Sequence, residues 1–177
     1  MTDRTAKGIV QVYTGDGKGK TTAAFGLAVR AVGHEKRVII IQFMKGDASY
    51  GEVKAVRKYL PIRLEQTGTP NFVDKDNPAE DDLAEAKRGL ELARQVMASG
   101  EYDLVILDEI NVAMDFNLLS VESVLELIRQ RPARVDLVLT GRYAPQSIRE
   151  EADLVSEVME IKHPYMKGIP AREGIEF

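Results

Sequence analysis

Ile9-Val10-Gln11-Val12-Tyr13-Thr14-Gly15-Asp16-Gly17-Lys18-Gly19-Lys20-Thr21-Thr22, continued by Ala23 to Val32, is the stretch from which the fold can be read. An apolar run, a turn rich in glycine and lysine, and a helix-like stretch follow in the order of a phosphate-binding loop. Gly15, Gly17 and Gly19 let successive backbone N–H groups curl around an oxyanion, and the helix start adds its positive dipole end. On this reading Thr14, Gly15, Asp16, Gly17, Lys18, Gly19, Lys20, Thr21 and Thr22 hold a nucleoside polyphosphate. Lys20 brings a point charge to phosphate, and the Thr21 hydroxyl is placed to ligate Mg²⁺. The usual spacing G-x-x-x-x-G-K-[ST] would set its first glycine at position 14, where this chain has Thr; the glycine comes one residue later. A surface turn that binds nothing is the plain alternative, and the flanking strand and helix argue against it.

Outward from this loop, apolar runs alternate with helix-period stretches. Val38 to Phe43 reads as a second strand, continuously apolar as suits a sheet covered on both faces. Ile62 to Gln66, Leu104 to Leu107, Leu137 to Leu139 and Leu154 to Ile161 supply four more. Ala24, Leu27, Ala28 and Ala31 form one helical stripe, closed by Gly33. Asn77-Pro78-Ala79-Glu80 reads as an N-cap, a proline at the first helical position and a capping carboxylate, and the helix runs on to Gly100. Ser120 caps another helix, with Val121, Val124, Leu125 and Ile128 on one face. Such alternation predicts an α/β, three-layer, RecA-like phosphate-loop domain with a mainly parallel sheet of about six strands, spanning 1–177 as one unit. The irregular stretch from Thr67 to Asn77 is too long for a plain connection and is expected to be functional.

Composition narrows the classes. A net charge of −4 offers no basic field for nucleic acid or anionic lipid. Cysteine is absent, which removes disulfides, thiolate zinc sites and cysteine nucleophiles. No apolar run is long enough for a membrane span, and Met1 to Lys7 is too short and polar for a signal peptide. A cytoplasmic enzyme is the expectation.

In open parallel sheets ligands sit beyond the carboxyl ends of the strands, so the residues there make the candidate site. Leu104-Val105-Ile106-Leu107 runs into Asp108-Glu109, and these carboxylates can hold Mg²⁺ directly or through water. Lys45, after the second strand, and Arg142, after the fifth, are placed for nucleotide or product contact, with solvated surface cations as the plainer reading. His163 reads as a hydrogen-bonded turn residue before Pro164, and His34 as an exposed residue after the helix end. Two histidines cannot build a histidine-rich metal site. The residues alone leave the second substrate open. A RecA-like ATPase, a nucleoside kinase and a nucleotide-binding regulatory module all stay compatible with them.

The blocks Thr14 to Gly26, Gln42-Phe43-Met44-Lys45-Gly46, Leu107-Asp108-Glu109, Leu139-Thr140-Gly141-Arg142, Ile161-Lys162-His163-Pro164-Tyr165 and Gly168 to Phe177 follow one another in order. Together they resemble the phosphate-loop class of ATP:corrinoid adenosyltransferases, from Gly8 to the C-terminus, and the Thr14 start is that family's own form. The resemblance implies that Co(I) of a reduced corrinoid, cobalamin or cobinamide, attacks the ribose C5′ of ATP and releases inorganic triphosphate. It also implies a nucleotide reversed in the loop relative to ordinary NTPases, a reducing flavoprotein as partner, and a homodimer. Carried over by motif, Gly15 to Thr22 hold triphosphate, Lys18 and Lys20 offset its charge, and Thr21 and Glu109 ligate Mg²⁺ with Asp108 behind them. Better-known relatives place a Phe and a Trp after the third strand to displace the lower axial ligand of the corrinoid. This chain has no Trp, and Phe72 is the only aromatic in Gly68-Thr69-Pro70-Asn71-Phe72-Val73. Phe72 is therefore the candidate for that role, against simple burial under the loop. The stretch before Gly8 is short, so an N-terminal arm of the kind some relatives carry is not expected.

Overall fold

The computed structural model describes residues 7–176. Residues 1–6 and 177 lie outside that range, and with them the reading of the N-terminal stretch and of the closing Phe177. The elements in chain order are β1 (Val10–Thr14), α1 (Lys20–Val32), β2 (Val38–Phe43), α2 (Gly51–Tyr59), β3 (Ile62–Thr67), α3 (Glu80–Ser99) and β4 (Leu104–Asp108). After them come α4 (Ile110–Asp115), α5 (Val121–Arg129), β5 (Asp136–Thr140), α6 (Gln146–Glu151) and β6 (Leu154–Glu157), then a 3₁₀ turn at Pro164–Lys167.

The strands form one sheet in the order β3-β2-β4-β5-β1-β6, and every pairing is parallel. Side chains alternate along each central strand, so two apolar faces need cover. Ile39, Ile41, Val105, Leu107, Leu137 and Leu139 pack with Ala86, Leu90, Val124 and Ile148 from the helices on one face. Val38, Ile40, Leu104, Ile106 and Val138 pack with Ala24, Ala28 and Val56 on the other. This is the three-layer α/β arrangement of RecA-like phosphate-loop proteins, and burial on both faces is why the strands read as unbroken apolar runs.

The apolar core stops along one line. Parallel register sets Gln42 opposite Asp108, and Tyr13 opposite Thr140. Gln42, Asp108, Thr140 and Thr14 are all buried and all polar; the last three end β4, β5 and β1, and Gln42 precedes Phe43 at the end of β2. The candidate site is built on this row.

Several boundaries differ from the sequence expectation. β6 ends at Glu157 rather than Ile161, because its partner, β1, has by then turned into the glycine-rich loop. The chain follows that loop instead: Val158 N–H donates to the Thr14 carbonyl at 2.8 Å, and Gly17 N–H to the Val158 carbonyl at 2.7 Å. α3 starts at Glu80, so Asn77 is not its cap and Pro78 is not its first residue. Asp82 takes the capping part instead, accepting the Ala79 N–H at 3.2 Å, and it is held there by the Thr69 hydroxyl at 2.9 Å. Ser120 does cap α5, accepting the Ser123 N–H at 3.2 Å. α3 ends as read, with Gly100 left-handed at φ 70°. Gly33 follows α1 in right-handed geometry, and the left-handed residue is Glu35. The sequence reading missed α2, α4 and α6, each nine residues or fewer. Among the described residues no helix is long and apolar enough to cross a membrane.

Candidate active site at the carboxyl edge of the sheet

A cleft of about 860 Å³ opens over the carboxyl ends of the strands. Of the residues singled out in the sequence, Asp16 to Thr22, Lys45, Phe72, Glu109 and Arg142 line it. Thr14, Gly15 and Asp108 lie behind its wall. Thr14 is buried, and its Oγ1 accepts the Ala144 N–H at 3.2 Å, tying the end of β1 to the chain beyond β5. Gly15 has φ 95°, and a Cβ there would strike the Val158 carbonyl, so the close approach of the chain after β6 requires glycine. Its carbonyl still reaches the site through Lys20.

Lys20 opens α1 almost buried. Its ammonium donates to the Gly15 carbonyl at 2.6 Å and the Gly17 carbonyl at 2.7 Å, curling inside the loop. Burial draws its pKa below the usual lysine range, with Arg142 adding to the effect; Glu109, Asp16 and Asp108 offset this only in part. An ammonium held in this way gains from any anion that enters the loop. Lys18 points elsewhere: it donates to the Ile175 carbonyl at 3.0 Å and stands 4.0 Å from the Glu176 carboxylate. Glu176 is itself held by Arg172, so a turn near the C-terminus covers one side of the loop.

Asp108 ends β4 with no exposed surface and four donors on its carboxylate. Oδ1 accepts the Thr21 hydroxyl at 2.9 Å and the Thr140 hydroxyl at 2.7 Å. Oδ2 accepts Gln42 Nε2 at 3.1 Å and the Lys45 ammonium at 2.8 Å. Burial alone would raise its pKa, but the Lys45 charge and these hydrogen bonds outweigh burial and hold it below the usual range. Lys45 responds in kind. Burial works against its charge, yet Asp108 and Glu109 raise its pKa above the ordinary value.

Glu109 takes the left-handed conformation at φ 64°, a geometry costing about 1–3 kcal/mol for a non-glycine residue. Its N–H donates to Thr140 Oγ1 at 3.0 Å, and its carboxylate stands 3.9 Å from the Lys45 ammonium. Burial raises its pKa above the usual carboxylate range; Asp108 adds to this, and Lys45, Lys20 and Arg142 offset it in part. Met44 and Tyr143, at the ends of the chain leaving β2 and β5, are left-handed as well. Backbone strain thus gathers along the edge that forms the cleft.

The donor set fits a hard divalent cation. Thr21 gives its proton to Asp108, which leaves the hydroxyl lone pairs free to face the cleft, where Glu109 presents a carboxylate on which no donor from the described residues falls. Asp108 is saturated and orients Thr21 rather than offering an oxygen of its own. Among the described residues no group of three or more His, Asp or Glu side chains gathers into a metal centre. A cation here would draw its other ligands from substrate oxygens and water.

Arg142 donates to the Asp16 carbonyl at 3.1 Å, bridging the chain after β5 to the glycine-rich loop. His163 accepts the Tyr165 N–H on Nδ1 at 3.2 Å, the turn role read from the sequence, and also borders the cleft. His34 is exposed, as read. Phe72 is not buried under its loop: it is fully exposed and lines the cleft. Gln42 was missed as a site residue, and Thr140 was read only as the start of the chain leaving the fifth strand, with no role of its own. Their signal was present: each is a polar residue at the buried carboxyl end of an otherwise apolar strand, where water cannot satisfy it.

Residues 6–177 match the family model described as ATP:corrinoid adenosyltransferase BtuR/CobO/CobP. A corrinoid adenosyltransferase of Pseudomonas aeruginosa is 37% identical over 98% of this chain and 86% of its own length. One from Escherichia coli is 37% identical over 97% of this chain and 86% of its own. The corrinoid adenosyltransferase CobA of Salmonella typhimurium is 36% identical over the same shares, 97% and 86%.

Proposed function

The chain belongs to the ATP:corrinoid adenosyltransferase family, and from that membership we propose that it transfers the 5′-deoxyadenosyl group of ATP to the Co(I) of a reduced corrinoid. The observation that carries this reading is one cleft lined by Lys20, Thr21, Lys45, Glu109 and Arg142 together with a bare aromatic side chain, Phe72. The corrinoid cobalt is the nucleophile: its electron pair forms the Co–C5′ bond, the C5′–O5′ bond breaks, and inorganic triphosphate leaves with that bond's electrons. Cobalt passes formally from Co(I) to Co(III). No proton moves in this step, so the chain needs no general base.

The protein's part is to hold the nucleotide and stabilise the charge of the leaving group. Gly15 to Thr22 wrap the triphosphate, and Lys20 leaves the Gly15 and Gly17 carbonyls for phosphate oxygens. Lys18 exchanges the Ile175 carbonyl for the same anion, and Lys45 and Arg142 add positive charge at the rim. Thr21 and Glu109 would hold Mg²⁺, with Asp108 orienting Thr21. When bound, the cation neutralises triphosphate charge. Phe72 faces the corrinoid and displaces its lower axial ligand. We take the protein to act in the cytoplasm as one domain, supplied with Co(I) by a flavoprotein reductant. We take it to be a homodimer, supported by the exposed apolar side chains of Met159, Ile161, Tyr165 and Met166.

Incubation with MgATP and chemically reduced cob(I)alamin tests the reading. A light-sensitive alkylcobalt spectrum and tripolyphosphate should appear in equal amounts. ADP or orthophosphate with no alkylcobalt product would instead identify an ATPase or kinase, and ATP binding without turnover a regulatory module. Phe72→Ala should slow the reductant-coupled Co(II) route by about tenfold while changing the rate with prereduced Co(I) by less than about twofold. Equal losses on both routes would remove Phe72 from axial-ligand displacement.

A further inference from the structure

Phe72 has no packing of its own, so its place over the cleft is set by the backbone that carries it. That backbone is anchored on both sides. Three residues before Phe72, the Thr69 hydroxyl donates to Asp82 on the first turn of α3. Three residues after it, the Lys75 ammonium donates to Asp115 Oδ2 at 2.6 Å. The same ammonium lies 5.4 Å from the centre of the Phe116 ring and 5.8 Å from that of Tyr143. Val73, between the anchors, rests against the core.

The partners of Lys75 belong to the elements that carry the nucleotide side of the cleft. Asp115 and Phe116 close α4, the short helix that begins directly after Glu109. Tyr143 directly follows Arg142, and holds the left-handed conformation at φ 58°. One lysine therefore joins the Phe72 segment to the far end of the Glu109 helix and to the neighbour of Arg142. A surface lysine kept only for solubility needs none of these contacts; this one meets a carboxylate and two aromatic faces together. A second link runs through the backbone, since a Cβ at Gly68 would collide with the Met44–Lys45 chain, so this segment also lies hard against the Lys45 loop.

We propose that Lys75 is a positioning residue that clamps the Phe72 segment onto α4 and the Arg142 turn, setting where Phe72 meets the second substrate. The inference rests on the reading of Phe72 as the residue facing the corrinoid. Its clamp, however, can be tested without any corrinoid. The chain has no Trp, so Phe72→Trp provides a single indole probe at that position. Combined with Lys75→Ala, its nanosecond fluorescence anisotropy should decay faster than with Lys75 intact, at an unchanged melting temperature. Lys75→Arg, which keeps the charge and stacks on aromatic rings, should retain the slow decay. With Phe72 in place, Lys75→Ala should raise the KM for cob(II)alamin on the reductant-coupled route by about fivefold and leave the KM for ATP unchanged. Lys75→Arg should restore it. Unchanged anisotropy in the Lys75→Ala protein, or equal rises in both KM values, would overturn the clamp. If the parent protein transfers no adenosyl group at all, the functional reading fails while the anisotropy comparison still decides the clamp.

Discussion

Replacing Lys20 with alanine is expected to lower kcat for adenosyl transfer by a factor of about 10² to 10³, with little change in melting temperature. In the proposed reaction the triphosphate would gather negative charge on O5′ as the C5′–O5′ bond stretches, and Lys20 is the ammonium held inside the loop, bonded to the Gly15 and Gly17 carbonyls. A cation already desolvated costs little to bring to the leaving group, so its charge acts at close to full strength. The loss should appear in kcat with prereduced Co(I), a route that bypasses axial-ligand displacement and isolates the nucleotide side. Thermal melts of the two proteins must agree within a few degrees, because Lys20 also braces the loop. A Lys20→Ala protein that keeps near-normal kcat would move the leaving-group site away from this loop.

Glu109→Gln is expected to be nearly as severe, and in a different observable. Glutamine keeps the shape and the left-handed backbone but removes the charge that a cation needs. Half-saturating Mg²⁺ should rise by about tenfold to a hundredfold, with partial recovery of rate at high Mg²⁺. The pH dependence gives the second test. The Glu109 carboxyl titrates above the ordinary glutamate range because it is buried, and must lose its proton to take a cation. In the parent protein Mg²⁺ affinity should therefore weaken as pH falls through that raised value, earlier than for an exposed glutamate. In Glu109→Gln that limb should be absent. A variant whose Mg²⁺ curve and pH profile match the parent would assign the cation to other ligands.

Much of this arrangement was legible in the residue order. The apolar runs at Val38 to Phe43, broken only by Gln42, and at Leu104 to Leu107 identify strands buried on both faces, and the parallel sheet confirms them. The strand-end rule then brought the glycine-rich loop, Lys45, Asp108, Glu109 and Arg142 to one edge. What the pattern could not carry depends on tertiary reach. Asp82 displaces Asn77 as the cap of α3 because Thr69, far across a loop, fixes its carboxylate. α4 has only six residues, too few to display a helical period, and its start is dictated by the strained Glu109. In sequence Asp108 reads as a metal ligand or as support behind one; what the order of residues does not show is that four donors, from β2, β5, α1 and the loop after β2, meet on its carboxylate. Periodicity also gives no sign that Phe72 stands in solvent rather than under its loop; only the path of residues 68–79 decides that.

The strand order carries a consequence for biosynthesis. β1, made first, has β5 and β6 as its neighbours in the finished sheet. A nascent chain leaving the ribosome thus carries β1, with the glycine-rich loop hanging from it, without a sheet partner until β5 is complete at residue 140, and with one edge open until β6 follows at residue 157. Until those strands arrive, the phosphate-binding loop proposed above hangs from a strand with no place in a sheet, a state that a chaperone could cover.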